Sequence, residues 1–442
     1  MSDPSRRQVR PADQSFLGKG LRRLSGFGLS AMASGVAAVT VIPVIILLAG
    51  TEAWSAVAIG QACGTAAAVF SGYGWAVTGP SSVAKIQPRD RPAYFAESFF
   101  ARTVILFAVV AVPVCAAWAI APEHRDAAAL VAASLTVCGL GGTWFFVGSG
   151  NPTAMLVCDT APKVASQLAG AGLLALFGSV TAYAAAQLAF ALVSVALTLW
   201  FICGRQTVSL LRRQRLSCIP SQLRAHLHGL SVAALSAAYL SLPVVLVAVL
   251  NPPALVGYSV AEKLLRAANT AQQPWAQTIQ GWIPAAGSSS ELARRIRRGL
   301  GLSALLAAIG GGTLALLGPL LGRLLGADRV AVGYDIAPAI GLALAMTIVS
   351  QCAGIACLMA IGRAGVVAVS ALAGCVTALA LVLSWTVPFG APGAMYGVAL
   401  GEVLVTLIQL GALALLLSRG PSGQGPQVRR HGIRYEKVRP SP

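Results

Sequence analysis

Charged side chains are scarce in this sequence, and acidic ones are the scarcest. Of 442 residues only 10% are charged, with 14 Asp and Glu against 32 Lys and Arg, whereas 56% are hydrophobic. Apolar runs of about twenty residues, the length that crosses a hydrocarbon core, recur along the chain. No connection between them is long enough to fold as a soluble domain. The sequence therefore excludes an appended catalytic or nucleotide-binding module and predicts a multi-pass membrane protein.

Motifs for metal, disulfide and nucleotide chemistry are also missing. The nine cysteines fall almost entirely inside the apolar runs, and none forms a C-x-x-C pair. In such places cysteine behaves as a small apolar residue. No G-x-x-x-x-G-K-[ST] stretch is present, which excludes a P-loop. We therefore predict no catalytic residue, no metal site and no cofactor.

The apolar runs predict an all-α integral membrane protein with about twelve transmembrane helices. We place the spans at residues 24–49, 54–77, 95–121, 127–148, 155–178, 183–203, 227–250, 254–284, 299–321, 336–360, 365–385 and 393–417. Pro43 in span one and Pro243 in span seven sit in similar sequence, which favours two six-helix bundles arranged as parallel repeats around a central cavity. The predicted domains are a basic tail at 1–23, bundles at 24–204 and 227–417, a basic linker at 205–226 and a disordered basic tail at 418–442.

The positions of the basic residues predict the orientation of the chain. The net charge is +18, yet on one side of a twelve-span arrangement the connections carry only Arg125, Arg323 and Arg329. By the positive-inside rule both termini are cytoplasmic. The basic excess is therefore interpreted as an orientation signal rather than a nucleic-acid-binding signal. A further hypothesis places the C-terminal tail on anionic membrane lipids.

Span eight carries a line of polar residues that lipid would not accommodate. On a continuous helix over residues 254–284, one face holds Glu262, Arg266, Asn269, Gln273, Gln277 and Gln280. Trp275 and Trp282 fall on the opposite face. A spanning helix with one wet face borders a water-filled or ligand-filled interior. We therefore interpret this stripe as a transport path.

Several short stretches bear on the family. They are Gly74-Trp75 to Gly79-Pro80, Ala101-Arg102, Trp144-Phe145-Phe146, the run from Val256 to Lys263, and Gly390-Ala391-Pro392-Gly393-Ala394 leading to Glu402. Together they resemble the polysaccharide-export flippases of the multidrug/oligosaccharidyl-lipid/polysaccharide (MOP) superfamily, and most of all the O-antigen translocase branch. The resemblance covers residues 24–417.

The resemblance implies both a fold and an activity. The fold would be a V-shaped pair of six-helix bundles. The activity would be the transfer of an undecaprenyl-diphosphate-linked oligosaccharide from the cytoplasmic to the outer leaflet, by alternating access, for cell-surface polysaccharide assembly. The implied partners are this lipid-linked substrate, membrane lipids, and a polysaccharide polymerase or ligase.

A lipid-linked diphosphate requires cations inside the spans. The candidates are Arg102, Lys163, Lys263 and Arg266. Arginine suits phosphate because its planar fork donates two hydrogen bonds at once. An alternative stays open, because Glu262 with Arg266 and Asp159 with Lys163 are each spaced i,i+4 and can neutralise each other.

Uncharged and acidic residues complete the predicted site. Asn269, Gln273, Gln277 and Gln280 offer donors and acceptors to sugars, or alternatively to neighbouring helices. Glu402, close to mid-membrane, and Glu262 are candidates for H⁺ or Na⁺ coupling, with structural hydrogen bonding as the other interpretation of Glu402.

Two other functions stay open. A cation-coupled multidrug exporter would use the same fold with a more acidic or aromatic interior. A polytopic glycosyltransferase or polymerase would need a sizeable outer loop with catalytic residues, but the longest outer connection covers only about residues 322–335. We therefore expect a transporter and not an enzyme.

Overall fold

The structure, a computed structural model, describes residues 11–286, 288–330 and 332–418. Throughout these residues the regular elements are helices, and no strand occurs among them. The predicted C-terminal tail after residue 418 and residues 1–10 of the N-terminal tail lie outside the described residues. The first helix begins at Pro11, well before the predicted start of span one at residue 24.

The helices of the first half contain the first six predicted spans and the linker. They are α1 (Pro11–Gly72), α2 (Trp75–Lys85), α3 (Arg91–Val109), α4 (Ala111–Ile120), α5 (Arg125–Cys138), α6 (Thr143–Ser149), α7 (Pro152–Met155), a π-helical turn (Leu156–Thr160), α8 (Ala161–Phe177), α9 (Val180–Cys203) and α10 (Thr207–Arg212).

The helices of the second half contain the other six spans. They are α11 (Ile219–Leu250), α12 (Leu255–Ala271), α13 (Gln273–Trp282), α14 (Ser289–Leu325), α15 (Ala337–Ser350), a π-helical stretch (Gln351–Leu358) and α16 (Ala364–Ser418).

Within the described residues, eight helical segments are long and apolar enough to cross a membrane. Two of them, Met32–Lys85 and Ala364–Ser418, each hold two of the predicted spans because the chain folds back at Gly50 and Gly390. Both glycines have positive φ, 89° and 61°, a conformation that disfavours other residues. Helix α8 and the pair α12–α13 supply spans five and eight. The prediction of an all-α membrane protein with about twelve spans is confirmed.

Among the predicted spans that are not continuous helices, two break close to a proline. Span three divides between α3 and α4, shortly before Pro113, and span eight divides at Gln272, shortly before Pro274. Proline lacks an N–H donor, and its ring clashes with the carbonyl of the preceding turn, so a helix that meets it tends to break. The prediction of one straight helix over residues 254–284 is therefore wrong.

The helices pack as two groups with an interface between them. In the first half α1 packs on α5 and α8, and α5 on α9; in the second half α14 packs on α15 and α15 on α16. Gly311 and Gly341 let α14 and α15 approach until a Cβ on either would meet the other's carbonyl oxygen. Small residues of this kind allow helices to pack closely. Helix α1 contacts α11 and α12 across the interface, which positions the cavity described next.

Candidate functional site

A cavity that is open to solvent lies between the two halves. Its polar lining comes from both sides: Gln61 and Thr65 on α1, Gln167 on α8, Gln187 on α9, and Ser259, Glu262, Lys263 and Arg266 on α12. The cavity therefore combines neutral amides from the first half with charged groups from the second.

The charged groups form one cluster on α12. The Arg266 Nε donates to Oε1 of Glu262, while the Lys263 Nζ lies 3.7 Å from Oε2 of the same carboxylate. Arg266 also donates from a terminal nitrogen to the Leu240 carbonyl of α11, at 3.0 Å. The exposed side-chain fractions are 10% for Glu262, 22% for Lys263 and 37% for Arg266. Two cations thus face the cavity around one deeper carboxylate.

Hydrogen bonds hold the amides of the first half in place. The Tyr183 hydroxyl donates to Oε1 of Gln167, and Nε2 of Gln187 donates to the Tyr183 hydroxyl oxygen, each at 2.8 Å. Sequence reasoning missed these two glutamines and Gln61. Their signal was the presence of isolated amides inside otherwise apolar spans. A polar residue in such a place usually faces the protein interior.

An apolar groove of about 1,060 Å³ adjoins the cavity, between α1 and α12. The two spaces share Ala38, Gln61, Lys263 and Arg266 as lining residues. Further along, the groove is lined by side chains that are largely exposed, such as Met32 at 55% and Val36 at 61%. The cations therefore stand where a polar cavity meets an apolar surface.

Arg102 occupies a different environment from Lys263 and Arg266. It is fully buried and lines neither the cavity nor the groove. One terminal nitrogen donates to the carbonyls of Gly139 and Gly141, at 3.1 and 3.0 Å, just beyond the end of α5. Its guanidinium also lies over the rings of Phe95 and Trp144. In this arrangement Arg102 ties α3 to the end of α5, and its predicted contact with substrate stays a prediction.

Lys163 also lies outside the lining of the cavity and the groove. Its Nζ is 2.8 Å from Oδ2 of Asp159, which is the ion pair expected from the i,i+4 spacing. Asp159 sits in the π-helical turn before α8 and is buried. The structure therefore shows the pair but does not join it to the charged cluster of α12.

The break at Gln272 divides the polar stripe of span eight. Glu262 and Arg266 line the cavity, whereas Asn269 lies half-buried, and its Oδ1 is buried without a hydrogen-bond partner. The remaining members line neither space: Gln273 and Gln277 are exposed and Gln280 is half-buried. Their contact with sugars stays a prediction.

The tryptophans of span eight do not share a lipid-facing side. Trp275 lies half-buried and donates from Nε1 to the Ser303 hydroxyl of α14 at 3.1 Å, whereas Trp282 is partly exposed beneath the Arg295 guanidinium. Trp275 therefore packs toward the protein through its contact with α14.

Glu402 lies between helices of the second half, away from the cavity lining. The Tyr239 hydroxyl of α11 donates to its Oε1 at 2.5 Å. One turn further along α16, the Thr406 hydroxyl donates to the Glu402 carbonyl at 2.8 Å and to the Met346 carbonyl of α15 at 3.1 Å.

Across the described ranges no three His, Cys, Asp or Glu side chains come together as a metal site.

Comparison with solved structures finds a similar fold in transporters of the MOP superfamily. The chain is similar to an inward-facing multidrug-resistance MATE transporter (TM-score 0.64, 15% identity, 89% of this chain and 96% of that one). It is also similar to the lipid II flippase MurJ in an inward closed conformation (TM-score 0.66, 10% identity, 88% and 87%). A third similar structure is a MOP transporter from Pyrococcus furiosus, described as having a binding pocket of reverse polarity (TM-score 0.55, 12% identity, 90% and 95%).

These likenesses are structural. No protein-family model matches the sequence, and no curated protein matches it significantly. At 10–15% identity the comparisons show the fold alone. The function of the molecule has to be argued from its own cavity.

Proposed function

We propose that this protein is a flippase that moves a lipid-linked oligosaccharide, carried on an undecaprenyl diphosphate, across the bacterial cytoplasmic membrane by alternating access. The observation that supports the proposal is the junction formed by Lys263 and Arg266. These cations border both the polar cavity between the halves and the apolar groove between α1 and α12.

Each part of such a substrate has a matching surface here. The diphosphate would meet Lys263 and Arg266, the second of which offers a planar fork suited to phosphate oxygens. Sugars would meet Gln61, Gln167 and Gln187, whose amides donate and accept hydrogen bonds without adding charge. The polyprenyl chain would leave along the groove, whose walls are apolar and open.

The alternative is a cation-coupled exporter of amphipathic drugs, and the MATE structure supports it through the shared fold. A carboxylate facing the cavity would attract cationic drugs, and Glu262 is the one available. However, Glu262 is the least exposed group of its cluster and already contacts two cations. Because cations outnumber carboxylates in the lining, the cavity favours an anionic ligand.

The coupling ion is the second part of the proposal. Glu402 and its partner Tyr239 connect α16 to α11, the helix that also holds Arg266 through the Leu240 carbonyl. A proton or Na⁺ on Glu402 would alter the contact between these helices. As part of the same proposal, both termini lie in the cytoplasm and the chain is a carrier rather than an enzyme.

The test is leaflet transfer in vesicles that contain the purified protein. A labelled undecaprenyl-diphosphate oligosaccharide is followed beside uptake of a cationic dye. We expect transfer of the lipid, loss of that transfer in the Lys263→Gln/Arg266→Gln variant, and no dye uptake. The exposed pair Lys85→Gln/Arg323→Gln is the matched control and should retain transfer. Dye uptake without lipid transfer would contradict the flippase function and favour the drug-exporter function.

A further inference from the structure

The cavity places a carboxylate where an anionic ligand needs free cations. Oε1 of Glu262 accepts from Arg266, and its Oε2 faces Lys263 at 3.7 Å. A site built only to hold anions as tightly as possible would omit this acidic side chain, because it cancels one of the two positive charges. The position of Glu262 therefore indicates that this side chain has a role in transport itself.

The donors of Arg266 show which of its hydrogen bonds involve Glu262. The Nε hydrogen goes to Glu262, and one terminal nitrogen donates to the Leu240 carbonyl. A bidentate contact with phosphate needs two neighbouring donors on one edge of the guanidinium. On the edge formed by Nε and this terminal nitrogen, the Nε donor is already taken by Glu262 and the terminal nitrogen already donates to Leu240. An incoming phosphate must therefore displace Glu262 before it can bind that edge.

We propose that Glu262 is an internal competitor: in the empty cavity it occupies the donors that the anionic headgroup takes in the loaded cavity. Loading displaces it, and its return to Arg266 and Lys263 helps to expel the headgroup. The cations are then never left unpaired in a cavity of low dielectric constant, which would be costly. Glu262 thus lowers affinity and increases the rate of release. The role of Glu262 rests on the proposed function only for the identity of the anion.

The sign of the effect separates this role from a structural one. Removing a negative charge a few ångströms from an anion strengthens anion binding, because the repulsion is lost and both cations lose their ion pair with the carboxylate. The Glu262→Gln variant should therefore bind more tightly but turn over more slowly. If Glu262 merely positioned Arg266 and Lys263, the same variant would bind more weakly.

The first experiment is a titration of the purified full-length protein with inorganic diphosphate. We expect Glu262→Gln to lower the Kd at least tenfold, and Glu262→Asp, which keeps the charge, to stay near the wild-type value. In a Lys263→Gln/Arg266→Gln background the Glu262→Gln change should give no gain. An unchanged or higher Kd in Glu262→Gln, or no diphosphate binding in either wild type or this variant, would overturn the proposal. If Glu262→Gln does not fold, the Glu262→Asp variant serves as the test. A Kd near the wild-type value supports the proposal, and a Kd ten times lower overturns it.

The second experiment follows transfer of undecaprenyl-diphosphate oligosaccharide by wild type and Glu262→Gln. We expect a lower apparent KM together with a lower maximal rate. If the wild type binds inorganic diphosphate and the variant binds it more tightly, but neither transfers the lipid, the competitor role stands and the flippase function fails. If the lipid is transferred with unchanged KM and rate in the variant, the flippase function stands and the competitor role fails.

Discussion

Arginines in two environments show how differently one side chain can be used in this fold. Arg266 is partly exposed, borders a cavity and is held by a carboxylate and one carbonyl. Arg102 is fully buried and donates only to neutral oxygens of its own half while lying over two aromatic rings. The charge of Arg266 can be reached by a ligand. The charge of Arg102 instead stabilises the packing of helices.

Replacement of Arg266 should stop transport without unfolding the protein. Arg266→Gln removes the fork but leaves a side chain that still reaches polar neighbours, so we expect normal insertion and a thermal midpoint close to that of the wild type. Transfer of the lipid-linked oligosaccharide should fall at least tenfold. The exposed Arg323→Gln serves as the matched control. Normal transfer by Arg266→Gln would assign this residue a structural role.

Replacement of Arg102 should have the opposite profile. Arg102→Gln leaves the buried carbonyls of Gly139 and Gly141 with fewer donors and removes both ring contacts. The loss of a buried, hydrogen-bonded cation costs about 2–4 kcal/mol. We therefore expect a clear fall in the unfolding midpoint in detergent, with diphosphate binding retained by the folded fraction. A stable variant that fails to bind diphosphate would instead place Arg102 on the substrate path.

At the scale of helices, α11 connects several functional elements. Near its start His226 stacks on Trp75 of α2 at 4.1 Å, and its Nδ1 lies 2.6 Å from the Thr78 hydroxyl. Near its middle Tyr239 contacts Glu402, and Leu240 holds Arg266. A shift of α11 would therefore change the cavity, the Glu402 site and the contact with the first half together.

The contact between α2 and α11 should weaken at low pH. His226 precedes the apolar part of α11, and burial, with a smaller contribution from Arg102, lowers the pKa of its imidazole. The unfolded chain then binds more protons than the folded one as pH falls below about 6.5, so stability decreases with decreasing pH. We expect the unfolding midpoint to drop between pH 7.5 and pH 5.5, and the drop to be smaller in His226→Asn. The exposed His228→Asn is the control, and an equal drop in all three proteins would contradict the assignment.

Glu402 should control the response to an ion gradient rather than the stability of α16. Glu402→Gln keeps an oxygen that can accept from Tyr239 but can no longer gain or lose a proton. We expect the variant to bind substrate with unchanged Kd and to lose the stimulation of transfer by an imposed H⁺ or Na⁺ gradient. The measurement is initial transfer rate with and without each gradient. Stimulation equal to that of the wild type would leave Glu402 as a structural hydrogen-bond acceptor.

Sequence patterns predict this fold better than they predict the site. Apolar run length locates the spans, and Gly50 ends the first of them as expected, because both depend on local properties of the chain. The break at Gln272 was missed, although Pro274 lies only two residues further on. The reason is that the periodicity of the polar residues continues across the proline. Helical periodicity also cannot show that Arg102 meets carbonyls 37 and 39 positions away. The glutamines of the first half were missed because each stands alone in its span.

At the scale of the whole molecule, the two halves touch at both ends of the cavity. At the end near Gly50, the Trp54 Nε1 donates to the Ser259 hydroxyl at 2.8 Å, and Arg329 donates to the Ile46 carbonyl at 2.9 Å. At the opposite end, α2 meets α11 where Gly74 and Gly229 leave no room for a Cβ. A carrier that works by alternating access must open one set of contacts at a time.

A tether across the end near Gly50 should therefore stop the cycle. Leu47 is exposed beside Ile46, and Arg329 is exposed on the other half, so cysteines at positions 47 and 329 can be joined by a short bismaleimide in a cysteine-free background. We expect the joined protein to bind diphosphate but to lose transfer of the lipid-linked oligosaccharide. Trp118→Cys/Asp126→Cys is the matched control, because this exposed pair lies within one half, where Trp118 donates to Asp126 at 3.3 Å. The control tether should leave transfer intact, and transfer that survives the tether between the halves as well would mean that the halves do not move apart at this end.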